Sequence, residues 1–481
     1  MKFNQKALEE KKKHLDEIKQ HPEYIQEVVS KYCNSEFELE EVPRRWTGGG
    51  GTLYLIKTEE MKYFLKVKHR EVTVESKLEE ESDYIEESCV EHEYYMLRKS
   101  KDVGVDVPNI IFYEEYKDFQ FLVTEYIEHS LLECLENVSV EQILKLWSSL
   151  SENVYRLFSA GMVHADIHEY NIRCRDQENI VLIDFEESRE IIQNGSFEES
   201  LDYLGTNGIS ALGEFPLCNQ QEYSTHVNSM IRMHEVFEKY IAKALAEYVS
   251  KCNYDFENGI CVALDHGKSE KTYQSINNRF FVIDGQRAKR DERPILAAKL
   301  CETLFENKCF TFVDIGSNNG LFGREISKYF NGEVRCVGLE GYSKFNILAR
   351  GLAFLENCSN IDYYDFLCGE DNIDSIGLCT ECFITVCSVW HHIQHKEEFL
   401  RQLCDIKVRY ILFELAFQKE CYNGRSWKEE IGVIKEKLGF NGEIVIGRSR
   451  DYKRPLVLIA KDVFSSEEIS KIQELSSNYV F

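Results

Sequence analysis

No stretch of this 481-residue chain holds the roughly 18–20 consecutive apolar residues that a membrane-spanning helix requires. Its start, MKFNQKALEEKKK, lacks the apolar core of a secretory signal. Both absences favour a soluble, cytoplasmic protein, and they leave open recruitment to the inner face of the plasma membrane. Basic residues are scarce, with 57 Lys and Arg against 83 Asp and Glu and a formal charge of −26. Nucleic acid is therefore excluded as the main partner, since phosphate backbones need clustered cations. No second CxxC joins Cys379 and Cys382 to complete a zinc site, and the 17 cysteines are scattered. They read as reduced thiols. Apolar residues are plentiful at 43%, enough for two packed domains at this length.

The densest chemistry lies in Val163–Glu186, VHADIHEYNIRCRDQENIVLIDFE. Asp166, Asn171 and Asp184 have the types and spacing that phosphoryl transfer from ATP needs. The first carboxylate accepts the hydroxyl proton of the acceptor, while Asn171 and Asp184 hold metal ions that neutralise the triphosphate. The apolar run Val181–Asp184 is the strand that presents the last carboxylate.

Upstream, residues 4–33 read as a helix interrupted at Pro22, with Leu8, Leu15, Ile18, Ile25, Val29 and Tyr32 at near-heptad spacing. It either docks on the domain or self-associates as a short coiled coil. Gly48–Gly51 then precede two strands, TLYLIK and YFLKVK. Gly49 and Gly50 allow backbone N–H groups to approach phosphates. Lys66 is the candidate partner of the α- and β-phosphates, and Lys68 on the same strand face is the alternative. Glu93, on the helix VEHEYYMLRKS, is the candidate ion-pair partner of Lys66, with Glu91 second. Glu125–Ile127 close the strand FQFLVTE at a hinge that would hold adenine. A helix is expected near Val140–Ala160, and a long amphipathic one over 225–253.

These motifs resemble the kinase-like superfamily over about residues 41–250, closer to sugar and small-molecule kinases than to protein kinases. The resemblance implies ATP and Mg²⁺ as cofactors. Two positions depart from it: His168 stands where relatives carry Lys or Arg, and Glu186 replaces the glycine usual after Asp-Phe. No metal ligand or catalytic Asp is lost, which implies an active enzyme rather than a pseudokinase. No peptide-docking segment follows Asp184.

A second site opens after the basic stretch GQRAKRDERP, in FTFVDIGSNNGLFGREI. A buried strand ends at Asp314 and turns through Gly316 and Gly320 into a helix, a turn that admits a nucleotide-type ligand. The strand VRCVGLE ends in Glu340, placed for ribose hydroxyls. IDYYDF carries Asp365, at the position that reads an adenine amino group. Alternating strands and helices closed by GEIVIGRS and RPLVLIAKD describe a seven-stranded sheet. The series resembles class I S-adenosylmethionine-dependent methyltransferases over about residues 273–462, with Asn318 where a third glycine is usual. Ser388, Val389, Trp390, His391, His392 and Ile393 lie where the methyl acceptor would bind. His391 and His395 are spaced to share a helix face, which is also metal-ligand spacing.

The expected fold is thus an α+β protein-kinase-like domain followed by an α/β Rossmann-like methyltransferase. The expected divisions are an N-terminal helix over 1–40, the kinase-like domain over 41–253, a linker over 254–272 and the methyltransferase over 273–481. The pairing resembles the bifunctional enzymes that terminate bacterial O-antigen polysaccharides. That implies phosphorylation of a terminal sugar on a carbohydrate acceptor, lipid-linked or free, followed by methylation of that phosphate. The domain order is the reverse of the best-known members, and their long C-terminal coiled coil is missing. A phosphate monoester, with its second pKa of about 6, is already an anion at neutral pH. Its methylation needs orientation and cations more than a base. Arg287, Arg293, His391 and His392 are the candidates. In the alternative, a methyltransferase acting on a sugar or small-metabolite hydroxyl independently of the kinase, His391 or His392 would be the base. A third reading is a pseudokinase scaffold regulating the methyltransferase.

Overall fold

The structure is a computed structural model. It describes residues 18–33, 36–42, 51–69, 90–136, 138–190, 220–254, 273–283, 285, 287, 291–305, 309–450 and 452–478. Contacts divide the chain into two units, Met1–Leu201 with Glu214–Phe237, and Asp202–Gly213 with Glu238–Phe481.

In the first unit, β1 (Glu38–Glu41), β2 (Gly51–Lys57), β3 (Lys62–His69), β4 (Ile110–Tyr116) and β5 (Phe119–Glu125) form an antiparallel sheet in the order β1-β2-β3-β5-β4. Side chains alternate across a strand. On β3 this sends Leu65 and Val67 into an apolar core with Phe121 and Val123, while Lys66 and Lys68 share the opposite face. The helix Pro22–Ser30 starts at the proline, whose fixed φ suits a first helical turn. Its Ile25, Val28 and Val29 are buried in that same core. Of the two expectations for this helix, docking is what its described part shows, with the apolar face packed on the chain's own sheet. Leu8 and Leu15 lie outside the described residues.

The helix Val140–Ser159 is opened by a capping box of Ser139 and Gln142 and buries Ile143, Leu146, Leu150 and Leu157. Beneath it run short strands. β6 (His129–Ser130), β8 (Ile172–Cys174) and β9 (Ile180–Leu182) make one small sheet, and β7 (Met162–Val163) pairs with β10 (Arg189–Glu190). The turns between them carry the site residues. The long helix Gln220–Tyr254 sets Phe237 edge-on to Trp147 at 5.0 Å.

In the second unit a short hairpin, β11 (Ile276–Asn277) and β12 (Val282–Ile283), precedes the main sheet. Its main sheet holds β13 (Phe310–Ile315), β14 (Arg335–Glu340), β15 (Ile361–Asp365), β16 (Glu381–Cys387), β17 (Val408–Glu414), β18 (Gly442–Arg448) and β19 (Pro455–Ala460). The order is β15-β14-β13-β16-β17-β19-β18, parallel except for β19, which runs antiparallel to both neighbours. Strands buried on both faces read as continuous apolar runs. Val313, Ile315 and Ile384 thus enter one core while Phe312, Phe383 and Leu412 enter the other. Strand order reverses between β13 and β16, and the crevice outside the carboxyl ends at such a point is where open α/β sheets bind ligands.

Among the described residues no helix is long and apolar enough to cross a membrane. The cysteines described are all free thiols.

Candidate active sites

In the first unit the site is assembled around β3. Lys66 Nζ donates to Glu93 Oε2 at 2.7 Å, to Asp184 Oδ1 at 2.7 Å and to Glu186 Oε2 at 3.0 Å. Burial alone would push the Lys66 ammonium down, but Asp184, Glu93 and Glu186 hold it charged, well above the ordinary lysine range. Glu93 is 6% exposed, on the inward face of the helix Val90–Asp102, whereas Glu91 one residue outside that face is exposed. Helix phase thus decides between the two glutamates. Lys68 Nζ donates to Glu186 Oε2 at 2.7 Å.

The loop after β7 places Asp166 beside Asn171, whose Nδ2 donates to Asp166 Oδ2 at 2.8 Å. His168 Nε2 lies 3.4 Å from the same carboxylate oxygen. That contact holds the Asp166 carboxyl below its ordinary value against the opposing effect of burial. His164 is buried, donates from Nε2 to Ile183 O at 3.0 Å, and packs edge-on to Phe185 at 4.5 Å. Asp184 follows β9 in a left-handed conformation, φ 63° and ψ 67°, uncommon for a residue with a Cβ. Asn171 gives its amide N–H to Asp166, so its carbonyl oxygen is the atom left for a cation. Together with the Asp184 carboxylate this is an all-oxygen donor set, which fits Mg²⁺. Glu125 ends β5 with its carboxylate on Asn109 and Arg175, and Ile127 is buried two residues on. Gly49 and Gly50 lie outside the described residues.

In the second unit the turn after β13 is built on two left-handed glycines. Gly316 has φ 70° and Gly320 φ 77°. A Cβ on Gly320 would stand 2.3 Å from the Tyr363 hydroxyl, which itself donates to Gly320 O at 3.1 Å. Glu340 and Asp365 end adjacent strands and are register partners. The Asn318 backbone N–H donates to Glu340 Oε2 at 2.8 Å and the Tyr342 N–H to Oε1 at 3.2 Å. Asn346 Nδ2 donates to Asp365 Oδ1 at 2.6 Å. Asp314 accepts from Thr385 Oγ1 at 2.7 Å, and burial pushes its carboxyl up to about 7. Ser317 Oγ, Asn319 Oδ1 and Asn346 Oδ1 are buried without a partner. Orphaned polar atoms in the turn after β13 and on the helix after β14 are those a polar ligand would satisfy, so the residues fit S-adenosylmethionine.

Three expectations about the acceptor side are corrected. Arg287 and Arg293 are not loose cations in a basic arm. Both are almost wholly buried. Arg287 Nη2 donates to Glu414 Oε2 at 2.9 Å and to Ser388 Oγ at 2.8 Å. Arg293 Nη1 donates to the same Glu414 oxygen at 2.5 Å, and its Nε to Asp291 Oδ1 at 2.9 Å. Two guanidinium groups thus face two carboxylates. A buried charge must be paired, and here pairing uses the charge that would have held a phosphate. His391 and His395 do not share a helix: His391 lies in the short turn Trp390–His392, and His395 caps the helix Lys396–Asp405. Finally, His391 is no cation. Burial, with His392, Arg454 and Lys396 nearby, pushes it down to about 3, and its Nδ1 is buried without a partner. His392 beside it is exposed.

Sequence reasoning missed Glu414, Asn346, Lys396 and Arg454. Asn346 carried a legible signal, a lone amide in an apolar helix three residues after the start of Ser343–Leu355. Glu414 is the last residue of β17 as Glu340 is of β14, a pattern that could have flagged it.

A RIO domain model matches residues 52–201. The KEOPS complex subunit Bud32 of Pyrococcus abyssi is 34% identical over 91 residues, 19% of this chain and 40% of that protein. Serine/threonine-protein kinase D of Synechocystis is 31% identical over 127 residues, 25% of each chain.

The chain joins a kinase-like fold to a class I methyltransferase fold.

The second half of that statement rests on the strand order above. Among solved structures, WbdD, described as a bifunctional kinase-methyltransferase, matches 37% of this chain and 41% of its own at 18% identity and a TM-score of 0.29. A SAM dependent methyltransferase from Aquifex aeolicus matches 35% of this chain and 97% of its own at 16% identity and a TM-score of 0.26. The chain spans two fifths or less of the curated relatives it matches.

Proposed function

We propose that this protein is a bifunctional transferase. It phosphorylates a sugar hydroxyl on a carbohydrate acceptor with ATP and Mg²⁺, then methylates that phosphate with S-adenosylmethionine. The observation that carries the first half is Lys66 joined at once to Glu93 and Asp184. Productive phosphoryl transfer needs the lysine–glutamate pair formed and the second Asp at hand to hold the metal, and a scaffold that had lost activity would have no need to keep Asp166 and Asn171 paired beside them.

The residues divide the work. Lys66 takes the α- and β-phosphates, and Asn171 and Asp184 hold the metal, which neutralises charge on the transferred group. Asp166, kept ionised by His168, orients the sugar hydroxyl and accepts its proton as the phosphorus is attacked. Glu125 and Ile127 border the adenine, with Gly49 and Gly50 over the phosphates. In the methyltransferase, Glu340 takes the ribose and Asp365 the adenine, on a turn kept open by Gly316 and Gly320. Asp314 faces the cationic end of the cofactor.

The reading of the methyl acceptor as a phosphate is supported by His391. A general base works best with a pKa near the operating pH, and His391 is pushed to about 3, too weak to deprotonate an alcohol. A phosphate needs no base. His391 and His392 therefore orient the acceptor by hydrogen bonding, and Lys396 and Arg454, the cations around His391, replace Arg287 and Arg293 in holding phosphate oxygens. Ser388, held by Arg287 and Glu414, shapes the floor. On this reading the kinase-like domain runs over 41–253 and the methyltransferase over 273–481, joined through 254–272. The protein works in the cytoplasm on a surface polysaccharide presented at the inner face of the membrane.

The test is transfer of labelled methyl from S-adenosylmethionine to a lipid-linked glycan extract, with and without Mg²⁺-ATP. Methylation should appear only with ATP and vanish in Asp166→Ala. Equal methylation without ATP, on glycan never phosphorylated, would transfer the case to a hydroxyl acceptor.

A further inference from the structure

The residue two after the metal-binding Asp184 is the most unusual in the phosphoryl-transfer site. Asp184 holds a left-handed backbone, and Phe185–Glu187 continue as a single tight turn. Phe185 is fully buried against His164, which anchors the turn from below. From above, Glu186 reaches back to β3 across 118 residues of sequence, accepting from Lys68 at 2.7 Å and from Lys66 at 3.0 Å. Both lysine side chains are almost wholly buried, and Glu186 is largely so. A glycine at this position would leave the turn free to rotate. A glutamate held by a strand lysine does not.

We propose that Glu186 and Lys68 form a clamp that fixes the Asp184 turn against β3, making Glu186 a positioning residue for the metal-binding carboxylate. The two contacts of Glu186 have different futures. Lys66 is the residue that phosphates would claim, so its longer contact with Glu186 is the one released when nucleotide arrives. Lys68 keeps the shorter contact and holds the turn throughout. A left-handed non-glycine residue persists only where its surroundings over-determine it, and here three neighbours do so: Lys66 on Asp184, His164 on Phe185, and Lys68 on Glu186. The functional consequence rests on the kinase reading above, whereas the clamp itself does not.

The experiment uses the full chain with Lys68→Met, Glu186→Gly, Glu186→Gln and the double variant Lys68→Met/Glu186→Gly. Hydrogen exchange of the peptide over residues 180–188 is read without any nucleotide, with peptides from the methyltransferase sheet as the folding control. The expected result is exchange about tenfold faster in Lys68→Met and in Glu186→Gly, no faster in the double variant, and intermediate in Glu186→Gln, which keeps an acceptor oxygen. In ATP turnover the same variants should need about tenfold more Mg²⁺ for half-saturation while retaining most of kcat at saturating Mg²⁺. Unchanged exchange in both single variants overturns the clamp. So does an Mg²⁺ effect confined to Glu186 and absent in Lys68→Met, since that would make Glu186 a direct metal ligand. Failure of the wild-type chain to bind Mg²⁺-ADP by calorimetry would sink the kinase reading instead, and leave the clamp to be judged by exchange alone.

Discussion

Asp314 shows how far burial can move a single group. It is 3% exposed, its main partner is the neutral hydroxyl of Thr385, and its carboxyl is pushed up to about 7. The unfolded value is near 3.9. An acid raised on folding favours the folded state while protonated, so its contribution is complete below about pH 4 and is lost as pH rises through about 7. By linkage the loss is on the order of 4 kcal/mol at most. Urea unfolding at about pH 5 and about pH 8 should show this fall in the wild type and a much smaller one in Asp314→Asn, which keeps an acceptor for Thr385. An equal fall in both would remove Asp314 as its source. The cationic cofactor should bind the ionised form better, so its affinity should rise across the same range. At this scale the sequence was legible wherever chemistry demands a residue type at a fixed spacing, as with Asp166, Asn171 and Asp184. It was illegible for Arg287 and Arg293, because their carboxylate, Glu414, lies more than a hundred residues away in the chain.

Among elements, the turn from β13 into the helix Leu321–Tyr329 is tightly built. Gly320 is the left-handed N-cap, and Tyr363 on β15 closes over it. Gly320→Ala combines an unfavourable backbone with a side-chain clash at 2.3 Å. It should weaken S-adenosylhomocysteine binding by at least about tenfold in calorimetry, with ATP turnover unchanged. Wild-type affinity in this variant would mean that Tyr363 can move aside and that the turn does not set the cofactor site. The elements themselves followed from periodicity: the helix expected near Val140–Ala160 is Val140–Ser159, and the long helix over 225–253 is Gln220–Tyr254. The helix Pro22–Ser30 was recognisable as amphipathic, but its partner was not, because an apolar stripe fits a sheet as well as a second helix.

For the whole molecule, the chain carries two sites built on unrelated sheets, one antiparallel and one largely parallel. Each unit has its own core. Their chemistries should therefore be separable in one direction only. Glu340→Ala should abolish methylation while ATP-dependent phosphorylation of the glycan proceeds at the wild-type rate, measured by transfer of labelled phosphate. Loss of phosphorylation in that variant would show that the methyltransferase half is needed for the kinase half to work. On the proposed reading, the formal charge of −26 would repel a phosphorylated glycan, which would then have to be captured locally, by cations such as Lys396 and Arg454.

The sequence by itself determined the two folds and their order, and it singled out Asp166, Asn171 and Asp184 in one unit and Asp314, Glu340 and Asp365 in the other. Those follow from local rules: the period of a strand or helix, the backbone a turn requires, and the residue types a reaction needs close together in one loop. Only the tertiary structure decided which charges are available. Arg287, Arg293, Lys66 and Lys68 look alike in the sequence as basic residues near a site. Folding pairs the arginines with Glu414 and Asp291 and the lysines with carboxylates of the phosphoryl-transfer site. It also strips His391 of its charge. Burial and pairing depend on atoms brought together from distant parts of the chain, and Coulomb energies in a low-dielectric interior are set by those distances.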